Sequence, residues 1–215
     1  MISFSDIDGW IVAGGVSRRM GRDKAALEID GRSLIELAGK ALSSISEGRI
    51  SIAGEPRAFA SQWLAFPDKE APGLGPLSGL ETALSNGNSE WIAVISCDLP
   101  FVTGDVFLKL ADQIGPKADA IVPKADAIVP IQPDARPQPL CALYRRKPAL
   151  DAAVELLKST DRSLHNLLSR ITTHYVPFSS FQDLSNAEHL FLNINSPADY
   201  VQAKDIACQN RNRRL

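Results

Sequence analysis

Two periodicities alternate along this chain, and their alternation limits the fold more than any other property of the sequence. Trp10-Ile11-Val12-Ala13 is a short apolar run that ends in Gly14-Gly15, as a buried strand would. After the turn signal Asp30-Gly31, Ser33 can cap a helix in which Leu34, Leu37, Ala38, Ala41, Leu42 and Ile45 fall on one stripe. Arg49-Ile50-Ser51-Ile52 reads as the next strand. Gly75-Pro76 opens a helix with proline in its first turn and Leu77, Leu80 and Leu84 on one face. Trp91-Ile92-Ala93-Val94-Ile95 is the clearest buried strand, and Thr103 is positioned to cap a helix bearing Val106, Leu110 and Ile114. Further on, residues 139–144 read as a strand, and Leu150, Ala153, Val154 and Leu157 mark a helix. Leu190-Phe191-Leu192 reads as a late strand. Ser196 then caps a terminal helix with Pro197 at its first position and Asp199 in its first turn. Crossovers long enough to hold helices imply parallel pairing. The expected fold is a three-layer α/β/α sandwich, Rossmann-like, around a mostly parallel sheet.

A chain of 215 residues favours one large domain over two. The expected boundaries are a single domain over residues 1–208 and a flexible basic tail over 209–215, carrying Arg211, Arg213 and Arg214. With 45% hydrophobic and 22% charged residues the chain can bury a core, which excludes a disordered polymer. The net charge of -2 offers no general positive field for nucleic acid. Cys97, Cys141 and Cys208 form no C-x-x-C pair, and His165, His174 and His189 include no close ligand pair, so neither a zinc site nor a disulfide framework is expected. No apolar stretch reaches membrane-span length, and Met1-Ile2-Ser3-Phe4-Ser5-Asp6 lacks the layout of a secretory leader. A cytoplasmic location follows as an expectation.

One oddity interrupts the pattern. Lys117-Ala118-Asp119-Ala120-Ile121-Val122-Pro123 is repeated without change over residues 124–130. The period is too short for a solenoid. Each copy holds one Ala-Ile-Val core ended by proline, so one copy is expected to fill the sheet while the other loops out.

Three segments carry chemistry. Val12-Ala13-Gly14-Gly15 leads directly from a strand into Val16-Ser17-Arg18-Arg19-Met20-Gly21-Arg22-Asp23-Lys24, a glycine-rich loop whose backbone N–H groups can face a phosphate. It is no P-loop, because Gly21 and Lys24 are separated by Arg22 and Asp23, and it lacks the G-x-G-x-x-G spacing of a dinucleotide fingerprint. Arg18, Arg19 and Lys24 suit a polyphosphate whose charge shifts during reaction. In Ser96-Cys97-Asp98-Leu99-Pro100, Asp98 follows a buried strand, where ligands of open α/β sheets bind. A lone carboxylate suffices for Mg²⁺, which retains waters and takes phosphate oxygens as further ligands; a turn or helix-cap role fits that residue equally well. Asp68 stands a little before Gly75-Pro76-Leu77-Ser78-Gly79, whose Gly75 and Gly79 permit close approach to a base or ribose, or else simply begin a helix.

Together with Asn193-Ile194-Asn195-Ser196-Pro197, these segments resemble the successive motifs of the molybdenum cofactor guanylyltransferase family, in order and over nearly the whole chain. Gly14-Gly15 after Ala13, where cytidylyl relatives usually carry Ala-Gly, tilts the resemblance toward guanine. The resemblance implies transfer of GMP from GTP to the terminal phosphate of Mo-molybdopterin with release of pyrophosphate, and Mg²⁺ as cofactor. It places Val12, Ala13, Gly14, Gly15, Lys24, Asp68, Gly75, Gly79 and Asp98 at GTP, with Asp98 also at the metal. Arg18, Arg19, Lys24 and Asp98 would serve catalysis, and Arg162, Asn193 and Asn195, with residues 139–144, the pterin. It further implies transient contact with proteins that donate or insert the cofactor, with neither nucleic acid nor membrane as partner. Where the family often has asparagine after the second strand, this chain has Ala53-Gly54-Glu55, so that nucleoside contact falls to backbone. The alternatives are a cytidylyltransferase acting on the same pterin, a sugar-phosphate nucleotidyltransferase, and a non-catalytic GTP-binding module.

Overall fold

A computed structural model describes residues 6–14, 23–68, 75–115 and 125–212. Its centre is a seven-stranded sheet. In chain order the strands are β1 (Ile7–Val12), β4 (Ile50–Ala53), β5 (Leu64–Phe66), β6 (Trp91–Ser96), β7 (Ala127–Pro130), β8 (Cys141–Arg145) and β9 (Thr173–Val176). A small ribbon, β2 (Glu28–Ile29) with β3 (Arg32–Ser33), lies apart. The sheet order is β5-β4-β1-β6-β8-β7-β9. All neighbours are parallel except β8, which runs against both β6 and β7. The sheet is therefore mostly parallel, as expected, with one reversed strand that alternation alone does not reveal.

Among the described residues there are six α-helices: α1 (Leu34–Leu42), α2 (Pro76–Asn86), α3 (Gly104–Ala111), α4 (Arg146–Leu157) and α5 (Leu164–Arg170), which pack on the sheet, and α6 (Pro197–Asn212). Strand alternation splits the core in two. Ile7 and Ile11 of β1 face α1 and α3, packing with Ile35, Leu42, Val106 and Phe107. Trp10 and Val12 face α2, α4 and α5, packing with Leu80, Leu84, Leu156 and Leu167. With both faces covered, the central strands are largely apolar, which is why residues 10–12 and 91–95 read as hydrophobic runs. The three layers are as expected. A smaller cluster seats Ala203 and Ala207 of α6 on Leu27, Ile29 and Leu34.

Local signals set several boundaries. Ser33 and Glu36 form a reciprocal capping box on α1, and Pro76 occupies the start of α2. Ser196 and Asp199 exchange equivalent bonds at α6, Ser196 N donating to Asp199 at 2.8 Å and Asp199 N to Ser196 Oγ at 3.3 Å. Other expectations need correction. Residues 190–192 are no strand: Leu190 N and Leu192 N bond back to Ala187 and His189 in successive turns, while Leu190 and Phe191 plug the core beside Phe181. A three-residue apolar run reads alike in either setting. Thr103 makes no side-chain cap, and Ile114 falls beyond the end of α3. In α4 the buried face is Ala149, Ala153 and Leu156, leaving Val154 exposed. The boundary expected at residue 208 falls inside α6, whose Arg211 bonds Asp30 at 2.7 Å. Arg213 and Arg214 lie outside the described residues. The second heptapeptide copy supplies β7; the whole of the first also lies outside them. Among the described residues no helix is long and apolar enough to cross a membrane.

Candidate active site

The carboxyl ends of β1, β4, β5 and β6 line up along one edge of the sheet. Val12 stands in register with Ala53 on one side and Ser96 on the other. Past the strand ends the backbones stay joined, Ala13 N donating to Ala53 O at 3.0 Å and Cys97 N to Val12 O at 3.2 Å. Residues 12–14, 53–57, 66–68 and 96–98 therefore converge, as chain continuity and parallel pairing require.

Lys24 and Asp98 meet at the centre of this edge. Lys24 Nζ donates to Asp98 Oδ2 at 2.9 Å, and the two side chains are only 16% and 18% exposed. The same ammonium donates to Asn195 Oδ1 at 3.2 Å. Asn195 is held there from behind. Asp199 accepts from Asn195 N at 2.8 Å and from Ser196 N, and Ile194 N donates to Asp98 O at 3.0 Å. The Asn195 N–H bond, working against slight burial and helped by Ser196 and the Lys24 charge, holds the Asp199 carboxyl below its ordinary range.

Asp98 Oδ1, by contrast, is buried with no hydrogen-bond partner among the described residues. Leaving a buried acceptor unmatched costs about 1–3 kcal/mol, more when it is charged. An oxygen so placed, beside a lysine and at a strand end, suits a hard divalent cation that takes its other ligands from phosphate and water. Among the described residues no group of three or more His, Cys, Asp or Glu side chains could enclose a metal without such help. Next to Asp98, burial first and the Asp98 charge second push the Cys97 thiol up to about 12.

The Asp68 side of the edge is tightly fitted. Asp68 Oδ1 accepts from Thr82 Oγ1 at 3.1 Å, while Oδ2 lies 3.3 Å from where a Cβ on Gly14 would sit. Gly79 of α2 lets the helix lie against β1, since a Cβ there would stand 2.8 Å from Val12 Cγ1. Gly75, with φ at +79°, turns the chain into α2. Gly54, with φ at +143°, lies against Ala13, where a Cβ would come within 3.0 Å of the Ala13 carbonyl.

The structure thus gathers Val12, Ala13, Gly14, Lys24, Asp68, Gly79, Asp98 and Asn195 along one edge. Gly15, Arg18 and Arg19 lie outside the described residues. Asn193 turns its amide onto Phe191 O at 3.2 Å, within its own loop. Arg162 directs its Nε to the carbonyls of Leu157 and Ser159, closing the end of α4 rather than joining the Lys24 cluster. Among residues 139–144, Leu140 O accepts from Ser96 N at 2.7 Å, which ties the start of β8 to the Asp98 loop. Three contributors escaped the sequence reading. Thr82 holds Asp68, Asp199 sets Asn195, and Arg57 bonds Asp23, Glu55 O and Ala13 O. Arg57 follows the end of β4 by four residues, and its place after a strand end is the one signal the sequence carries for it.

A family model described as the MobA-like NTP transferase domain matches residues 9–174. The chain belongs to that family. The MobA-like NTP transferases are nucleotidyltransferases, and the converging strand ends fall within the matched span. A Geobacillus sp. protein named "Probable molybdenum cofactor guanylyltransferase" is 30% identical, with 89% of this chain and 95% of that protein aligned. A Deinococcus radiodurans protein of the same name is 33% identical over 89% of this chain and 91% of its own. The crystal structure of molybdopterin-guanine dinucleotide biosynthesis protein A from Archaeoglobus fulgidus superposes with a TM-score of 0.73 at 24% identity, covering 94% of this chain and 99% of the other. That likeness supports the MobA-like fold.

Proposed function

We propose that this protein transfers GMP from GTP to the terminal phosphate of Mo-molybdopterin, forming the guanine dinucleotide cofactor and pyrophosphate in the cytoplasm. The observation that carries the reading is the half-buried Lys24–Asp98 pair at the end of β6, with Asp98 Oδ1 unmatched among the described residues. The names of the two relatives support guanine as the base.

In this reaction an acceptor phosphate oxygen forms a bond to the α-phosphorus while the bond to the bridging oxygen of the β-phosphate breaks. The acceptor is already anionic near neutral pH, so no general base is required. Catalysis then rests on alignment and on neutralising charge that moves to the leaving pyrophosphate. Lys24 would serve that purpose, with Arg18 or Arg19 beside it. Asp98 Oδ1 would hold Mg²⁺, which when bound draws charge from the phosphates. Asp68 and the backbone of residues 12–14 would bind the nucleoside, with Gly75 and Gly79 opening the helix behind it. Asn195 would mark the border between the nucleotide half and a pterin half to which Asn193 and Arg162 belong.

Pyrophosphate release measured with Mg²⁺, molybdate-loaded molybdopterin and each of GTP, CTP, ATP and UTP tests the reading. Release with GTP alone supports it. Release with CTP keeps the site and overturns the base, while binding of GTP without release points to a non-catalytic module. Asp98→Ala should lower turnover by about 10²–10³, the scale of removing one preorganised stabiliser. Near-unaltered turnover at saturating GTP and Mg²⁺ would remove Asp98 from the metal.

A further inference from the structure

We infer that Arg57 is a positioning residue for nucleotidyl transfer, acting through the Ala13 carbonyl and the turn that carries Lys24; the inference rests on the role proposed for Lys24. Its guanidinium is shared among three segments. Nε donates to Asp23 Oδ2, Nη2 to Ala13 O and Nη1 to Glu55 O, each at 2.8 Å. The side chain is only 13% exposed. Asp23 uses its other oxygen to cap the turn Lys24–Ala26, accepting from Ala25 N at 3.0 Å. A continuous chain of contacts therefore runs from Ala13 through Arg57 and Asp23 to the turn that begins with Lys24, and from Lys24 to Asp98.

Ala13 leads into the glycine-rich loop, and Asp23-Lys24 leads out of it. Arg57 thus braces both ends from a third segment, the turn after β4. That turn is itself pressed onto the loop entrance, since Gly54 leaves no room for a Cβ beside Ala13. The planar fork of arginine can serve three acceptors in fixed directions at once, whereas a lysine ammonium on its flexible stem could not. Bracing of this kind fixes where the Lys24 ammonium stands relative to Ala13 and Asp98. In a reaction governed by alignment, a displacement of about 1 Å costs about 10²-fold in rate. Nucleotide affinity, spread over many backbone contacts, should change far less.

The test compares Arg57→Ala, Arg57→Lys and Asp23→Ala with the unaltered protein, using whichever nucleotide that protein turns over best. Steady-state kinetics are paired with calorimetric affinity for the Mg²⁺ nucleotide and with thermal melts. Arg57→Ala should lower kcat about 100-fold with KM and calorimetric Kd within about threefold. Arg57→Lys should recover little of the loss. Asp23→Ala, which spares the Ala13 contact, should reproduce much of it, and the double variant should be no worse than Arg57→Ala, because both break one linkage. Unchanged kcat in a folded variant overturns the inference, as does a loss confined to KM and Kd. If the unaltered protein turns over no nucleotide, the proposed reaction has failed, and the brace is read instead from amide exchange over residues 23–27. Faster exchange in Arg57→Lys than in the unaltered protein then supports it, and equal exchange overturns it.

Discussion

Replacing Asp8 by alanine should cost about 3 kcal/mol of stability while leaving turnover per folded molecule unchanged. Asp8 lies in β1 at the edge opposite the site, 10% exposed in its side chain. Its carboxylate accepts from Asn88 N at 2.7 Å, Ser89 N at 2.9 Å, Ser89 Oγ at 2.8 Å and Arg49 Nε at 3.0 Å. Arg49 is 41% exposed, so water replaces most of that contact and its loss costs no more than about 1 kcal/mol. Ser89 Oγ can rotate to water. The two backbone donors lose a charged acceptor, at about 1 kcal/mol or more each. The total of about 3 kcal/mol is a large part of a typical 5–15 kcal/mol, and would lower the melting temperature by about 6–12 °C in a chain of this size. The pH dependence has a definite sign. Burial alone would raise the Asp8 pKa, but its bonds to Asn88, Ser89 and Arg49 prevail and hold it below 3.8. Its ionisation therefore contributes stability above the unfolded pKa, lost as pH falls through the lower folded value. Urea titrations should show a constant gap between the two proteins from about pH 6 to 8 that narrows below about pH 4. A gap under about 1 kcal/mol at pH 7, or one that widens on acidification, would refute this reasoning.

Two further outcomes are expected. Gly79→Ala gains about 0.5–1 kcal/mol of helix propensity but must displace Val12 Cγ1, 2.8 Å from the new methyl, at about 1–3 kcal/mol. Thermal melts should show net loss, and calorimetry should show weaker nucleotide binding because Val12 ends the strand that feeds the loop. Deleting residues 117–123 leaves the sequence of β7 intact, since residues 124–130 repeat it. Circular dichroism and the melting temperature of that deletion variant should match the unaltered protein.

What was legible in the sequence was local. Ser33 with Glu36, Pro76, and the apolar runs over residues 10–12 and 91–95 each contain their own reason for forming an element. The direction of β8 did not, because parallel and antiparallel strands buried on both faces carry the same residues. Thr173–Val176 is partly exposed and includes a single buried residue, Val176, so no run announced it. Lys24 and Asp98 were each recognisable, yet their contact spans 74 positions and that of Lys24 with Asn195 spans 171, distances closed only by the sheet order. Arg57 was missed because two of its three partners are backbone carbonyls, and these leave no mark on a sequence.

The thiol of Cys97 has a consequence of its own. With burial and the Asp98 charge pushing its pKa up to about 12, the thiol stays protonated at neutral pH. Soft ions such as Cu(I) seek thiolate, whereas Mg²⁺ seeks oxygen. A sulfur adjoining Asp98 in sequence would, if ionised, invite the wrong metal and offer a rival nucleophile to an activated phosphorus. Burial silences it, so in the metal role proposed for Asp98 the carboxylate would compete for hard cations with no soft donor at its side.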